Sequence, residues 1–133
     1  MAVTFTNIVS YNLRGFSQGH YFLSDLCVES DITAVQEHWL ANCDLDKVIH
    51  FNSEFSGIAH SAMTDKLQQG LLRGHPFGGL AILACKSVIK GMYKYSVDSQ
   101  NRALAVVVQL VSCANLLIIS GVVVPERTGT PFR

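Results

Sequence analysis

The stretch DITAVQEHWL, residues 31–40, closes an apolar run with Gln36, Glu37, His38 and Trp39. A carboxylate at the carboxyl edge of a strand can hold a divalent cation, and ligand and metal sites of α/β sheets gather at such edges. The competing reading is a first solvated loop position. Arg14 and Arg102 each stand at the end of a strand-like run, where a guanidinium could reach a phosphate or lie in solvent. Little else in the chain has the spacing of a reactive site. Cys27, Cys43, Cys85 and Cys113 form no CxxC pair, and the five histidines form no HExxH. That argues against a zinc site or a disulfide framework and leaves reduced thiols in an intracellular chain.

The elements that would carry these residues follow from periodicity. Residues 3–12, VTFTNIVSYN, alternate loosely as a first strand ending in an Asn12–Gly15 turn. Residues 17–30 place Phe22, Leu23, Leu26 and Cys27 on one helical stripe, with Ser17 as the expected cap. Ile32, Ala34 and Val35 make a short buried strand, which completes a β-α-β unit. CDLDKVIHFN is expected to be a short helix, FSGIAHSA a strand, and residues 62–77 a glycine-punctuated loop long enough to suggest binding. GGLAILACK, MYKYSV, RALAVVVQL and NLLIISGVVV then read as four strands, and their short connections favour an antiparallel meander. The last two are apolar on both faces, so their sheet should be covered on both sides. Two helices can cover only one face. The sequence therefore suggests a chain missing its second layer.

At 133 residues there is room for one domain, with 49% apolar residues and a positive mean hydropathy. Ten basic and ten acidic side chains cancel, which is not the footprint of a protein that holds nucleic acid by a broad basic surface. No apolar run approaches the roughly 18 residues that span a bilayer, and the N-terminus lacks the pattern of a secretory signal. No membrane partner is expected.

Four segments in order, SYNLRGF, ITAVQEHWL, GHPFGGLAILACK and NRALAVVVQL followed by NLLIISGVVVP, resemble the endonuclease/exonuclease/phosphatase superfamily. The likeness is strongest to the apurinic-endonuclease-like domain of LINE-type (non-LTR) retrotransposons. It runs from Phe5 to Pro125 and covers the N-terminal half of that domain. The implied fold is α/β: half of a two-sheet β-sandwich with outer helices, mostly an antiparallel meander after an initial β-α-β unit. Residues 1–133 would form one truncated domain.

The implied chemistry is Mg²⁺-dependent hydrolysis of a phosphodiester, with Mn²⁺ as an alternative ion. By resemblance Glu37 is the metal-binding glutamate and Asn12 the asparagine that helps position the phosphate site. Gln36 is a neighbour in the same motif, Trp39 packs the loop after Glu37, and His38 need not be catalytic. Arg14 and Arg102 are the candidate phosphate contacts. DNA is the implied partner, together with a reverse transcriptase region of the same polyprotein, and the nucleus the implied compartment. Three departures stand out. Val123 occupies the place of a common active-site tyrosine, His75 replaces a frequent arginine, and the later GDFN-like and SDH-like motifs are absent. This chain alone is accordingly expected to be inactive, with an uncovered sheet face prone to self-association.

The primary expectation is a fragment of a DNA-nicking endonuclease. The alternatives are an inactive, truncated retroelement remnant, a phosphoesterase of the same fold acting on another ester, and a small α/β ligand-binding domain.

Overall fold

The computed structural model describes residues 5–63, 77–112 and 114–121. The elements are β1 (Ile8–Asn12), α1 (Phe16–Glu29), β2 (Ile32–Gln36), a 3-10 turn (Asn42–Asp44), α2 (Asp46–Ile49), β3 (Phe55–His60), β4 (Leu80–Cys85), β5 (Ile89–Val97), β6 (Ala103–Leu110) and β7 (Asn115–Gly121). They form two sheets. One has four strands in the order β1-β2-β4-β3, and the other has three in the order β5-β6-β7. β1 and β2 are parallel, as a helical crossover requires, and all other pairings are antiparallel.

The apolar residues sort into two layers. Val35, Phe55, Ala59, Ala81 and Leu83 point from the first sheet toward the helices and pack with Leu13, Leu23, Cys27 and Val48. Ile32, Leu80, Ile82 and Ala84 point the other way and meet Leu104, Val106, Val108 and Leu110 of the second sheet. β4 lies between both layers, which is why LAILAC is apolar without alternation. Each fully buried aliphatic side chain here contributes roughly 1.5–3 kcal/mol.

This arrangement corrects the expectation of a missing second layer. The four C-terminal strands are not one meander. β4 joins the first sheet, and only β5, β6 and β7 form a meander, which is itself the second sheet. The short connection after Cys85 is a corner between stacked sheets, closed by Val88 N–H donating to the Cys85 carbonyl at 3.0 Å. The inner face expected to drive self-association is covered, since Leu104, Val106 and Val108 are fully buried. What remains exposed is the outer face of the second sheet, with Tyr93, Tyr95, Leu117 and Ile119.

Two details of α1 also differ from expectation. The buried stripe is Gly19, Leu23 and Cys27, while Phe22 is half-exposed and leans on Tyr11 with ring centroids 4.9 Å apart. Gly15, not Ser17, is the N-cap, and no side chain caps the helix. Its first amides are satisfied by another backbone: Gly15 N–H donates to the Glu37 carbonyl and Phe16 N–H to the His38 carbonyl, each at 2.9 Å. The segment after β2 therefore caps the helix. Most of the expected 62–77 loop, including His75, lies outside the described residues, as do Val123 and Pro125. Among the described residues no helix is long and apolar enough to cross a membrane.

Candidate active site

The strand register brings the chemistry to one end of the sandwich. Asn12 pairs with Gln36, Gln36 with Leu80, and Leu80 with His60, giving one row across all four strands of the first sheet. Paired residues share a face, and this row faces the second sheet. Gln36 Nε2 donates to Ser120 Oγ of β7 at 2.9 Å. His60 Nε2 donates to Oδ1 of Asn101, in the β5–β6 turn, at 2.6 Å. Leu80 is core, so the row is polar at both ends and apolar between.

Asn12 and Glu37 meet at the β1 side of this row. The Asn12 Nδ2 amide donates to Glu37 Oε2, while Asn12 Oδ1 accepts from the Arg14 N–H at 3.0 Å. The asparagine thus fixes the carboxylate on one side and the turn after β1 on the other. Glu37 adopts φ 54° and Trp39 φ 60°, left-handed conformations that cost a side-chain-bearing residue roughly 1–3 kcal/mol each. Both are held by backbone bonds: Glu37 N–H donates to the Gly79 carbonyl at 2.7 Å and Trp39 N–H to that of Gly78 at 2.9 Å. Gly78 and Gly79 also have positive φ, 65° and 98°. The GG of the GHPFGG motif is thereby the backbone partner of the QEHW turn.

The side chains around the turn are closely fitted. Trp39 lies on Gly15, where an added Cβ would come 2.5 Å from the indole. His38 is fully buried over Gly79, where an added Cβ would come 2.2 Å from the imidazole. Its Nδ1 accepts from the Leu40 N–H at 2.9 Å, and its Nε2 therefore carries the proton and donates to the His60 carbonyl at 3.0 Å. Burial pushes this imidazole below its ordinary value of 6.5, helped by the nearby His60, while backbone groups of His60 and Leu80 work against the shift. His38 is a neutral, enclosed group.

Gln36 is buried behind Glu37 and joins three strands. Besides Ser120, its Nε2 donates to Ser10 Oγ of β1 at 3.0 Å and to the Ala34 carbonyl at 3.3 Å. Ser120 Oγ in turn donates to the Val35 carbonyl at 3.2 Å. Every buried side-chain polar atom among the described residues has a partner.

The structure separates the two arginines. Arg14 is exposed, two residues beyond Asn12, at φ 51°. Arg102 sits in the β5–β6 turn, its Nε 3.5 Å from Asp98 Oδ2. Asp98 also accepts from the Gln100 and Arg102 amides, which hold its carboxyl below the usual range, the Gln100 amide most strongly. Among the described residues no contact links Arg102 to Asn12 or Glu37. Sequence reasoning had overlooked Ser10, His60, Asn101 and Ser120. A signal existed for two of them: Ser120 is the lone hydroxyl in an apolar strand, and Ser10 lies two positions before Asn12 on the same face. Among the described residues no three His, Cys, Asp or Glu side chains gather as a metal cluster.

Two face-to-face sheets with helices on an outer face, and polar groups at the strand ends, make up an α/β sandwich that is shared with solved structures. The 3′ phosphatase NExo from Neisseria, bound to product DNA hairpin, aligns at TM-score 0.54 and 13% identity over 85% of this chain and 40% of that one. The 3′-5′ exonuclease NExo from Neisseria meningitidis aligns at TM-score 0.53 and 13% identity, over 84% of this chain and 40% of that one. The human Nocturnin catalytic domain with bound sulfate anion aligns at TM-score 0.57 and 14% identity, over 93% and 51%. The chain thus spans two-fifths to half of the length of these proteins. At such identities the likeness establishes the fold. No protein-family model matches the chain, and no curated protein does.

Proposed function

We propose that the Asn12–Glu37 pair is the metal-binding part of a phosphodiester-hydrolysing site, of the kind used by a DNA-nicking endonuclease. The observation that carries the reading is the direct contact of the Asn12 amide with the Glu37 carboxylate at the end of two parallel strands. The fold likeness to a phosphatase bound to a DNA hairpin supports it, as do the four ordered motifs.

The donor set suits a hard cation. Mg²⁺ binds through one or two carboxylates and keeps several waters, and Mn²⁺ accepts the same oxygen donors. Glu37 would hold the ion through the carboxylate oxygen that Asn12 leaves open. When bound, the ion would polarise a phosphate oxygen. Asn12 fixes the carboxylate's orientation, and Arg14 on the adjoining turn supplies a cation for the phosphodiester. Among the described residues no His–Asp pair stands beside Glu37 to take a proton from water. Weak ion binding without turnover is therefore the behaviour expected of this chain.

Within this reading the natural role is DNA nicking for a retroelement, in the nucleus and alongside a reverse transcriptase of the same polyprotein. That no three ligating side chains gather among the described residues favours a second reading, an inactive retroelement copy that retains the fold. A phosphoesterase for another ester would keep the same metal residues.

The test is titration of Mn²⁺, followed by the electron paramagnetic resonance signal of the free ion, on the wild-type chain and Glu37→Gln. Plasmid nicking in Mg²⁺ is assayed in parallel. Binding lost in Glu37→Gln, with no nicking by either, is the expected result. Equal Mn²⁺ binding by both would overturn the assignment of Glu37. Nicking that disappears in Glu37→Gln would show a catalytic site already complete in this chain.

A further inference from the structure

We propose that His38 is a positioning residue for Glu37. Its buried imidazole holds the left-handed turn that aims the Glu37 carboxylate at Asn12. The functional meaning rests on the reading of Glu37 as the metal carboxylate, but the geometric claim does not.

The argument begins with the backbone. Glu37 and Trp39 are both left-handed, and His38 is the residue between them. An extended strand puts successive side chains on opposite faces, and Gln36 already points between the sheets. The two left-handed residues break that alternation. They leave Glu37 half-buried at the surface, meeting Asn12, while His38 turns fully inward.

Such a turn persists only where its surroundings over-determine it. Backbone bonds to Gly15, Phe16, Gly78 and Gly79 contribute. They hold the peptides on either side of His38 but leave the Leu40 N–H, in the peptide after Trp39, to the side chain. The imidazole supplies that restraint. Nδ1 accepts the Leu40 N–H two residues ahead, which bends the chain back, and Nε2 donates to the His60 carbonyl at the end of β3. Few side chains offer an acceptor near the backbone and a donor farther out on a rigid ring. Asparagine could imitate the first bond and glutamine the second. Gly79 completes the slot, since any side chain there would occupy the ring's position. The QEHW turn and the GG turn are therefore one device, with His38 as its inner contact.

The test uses the whole chain. The side-chain amide of Asn12, identified in nitrogen-15 NMR spectra by its loss in Asn12→Ser, reports on the bond to Glu37 without any metal. Mn²⁺ affinity is measured beside it. Leu23→Ala serves as a comparator that lowers stability from the helix side of the core. His38→Phe is expected to shift the Asn12 amide signal toward that of a solvent-exposed amide. It should weaken Mn²⁺ binding about tenfold or more, as losses of supporting contacts around metal ligands do. Leu23→Ala should change neither in its folded fraction. His38→Asn, which keeps an acceptor for the Leu40 N–H, should move the amide signal part of the way and remains informative if His38→Phe does not fold. An Asn12 signal unchanged in a folded His38 variant would overturn the proposal. Should the wild-type chain not bind Mn²⁺ through Glu37, the functional reading fails, while the Asn12 signal still decides the role of His38.

Discussion

Gln36 Nε2 lies 2.9 Å from Ser120 Oγ, a contact between residues 84 positions apart that ties the first sheet to the second immediately behind Glu37. The same amide reaches Ser10, so β1, β2 and β7 share one polar junction inside an otherwise apolar interface.

Breaking that junction should cost stability in a non-additive way. Gln36→Leu is expected to lose about 1–3 kcal/mol, because partners lose their hydrogen bonds while the site stays buried. Ser120→Ala should lose about 1 kcal/mol. The double variant should lose less than the sum, by about 0.5 kcal/mol or more, since the two residues share one bond. Urea unfolding of the three variants measures this, and strict additivity would remove the junction from the account.

Gly79→Ala should be among the most damaging small substitutions in the chain. It places a side chain at φ 98° and drives its Cβ into the His38 ring. The left-handed penalty and the overpacking together suggest a loss of about 2–5 kcal/mol. A thermal melt compared with Ala59→Gly on the neighbouring strand would show whether the position, and not any change near the turn, is responsible.

Acid should destabilise the turn through His38. Its folded pKa lies below the ordinary 6.5, chiefly because burial disfavours the charged ring. Between the depressed folded value and 6.5 the unfolded chain binds the proton and the folded chain does not, so stability falls as pH drops below 6.5. Above 6.5 the ring is neutral in both states and the effect is absent. Urea midpoints measured from pH 8 to pH 5 should show this slope, and His38→Gln, which cannot titrate, should flatten it.

Thiol reagents should distinguish the cysteines by position. Among the described cysteines, Cys43 is exposed in the 3-10 turn and should react before Cys85 and Cys27. Cys27 is buried against the first sheet, and its burial, with Cys85 nearby, pushes its pKa to about 11. Its modification should wait for unfolding, which mass mapping after timed exposure to iodoacetamide can follow. Fast labelling of Cys27 in the native chain would mean that α1 detaches readily.

The sequence told local patterns well and layer assignment poorly. β2 ends at Gln36 as its apolar run indicates, and Asn12 and Glu37 meet as expected of two strands flanking one crossover helix. A short connection such as residues 86–88, however, reads the same whether it is a hairpin within a sheet or a corner between sheets. For that reason the turn after Cys85 reads in sequence as part of a meander, and the second layer is not legible there. The positions of His60 and Asn101 were hidden for a related reason. Their contact joins residues 41 apart in different sheets, and neither has a distinctive neighbour in sequence.

The polar row across the first sheet is not equally covered along its length. At one end His60 is bridged by the β5–β6 turn through Asn101, and Leu80 beside it is 1% exposed. At the other end, among the described residues, β7 is the last strand of the second sheet and nothing covers the inward-facing side of β1, with Ile8 49% exposed and Ser10 and Asn12 exposed. Among the described residues the row thus has a closed flank and an open one. On the proposed reading of Glu37, a phosphodiester held there would have room along the β1 side, past Ser10 and Ile8, and none toward His60, which the Asn101 turn covers.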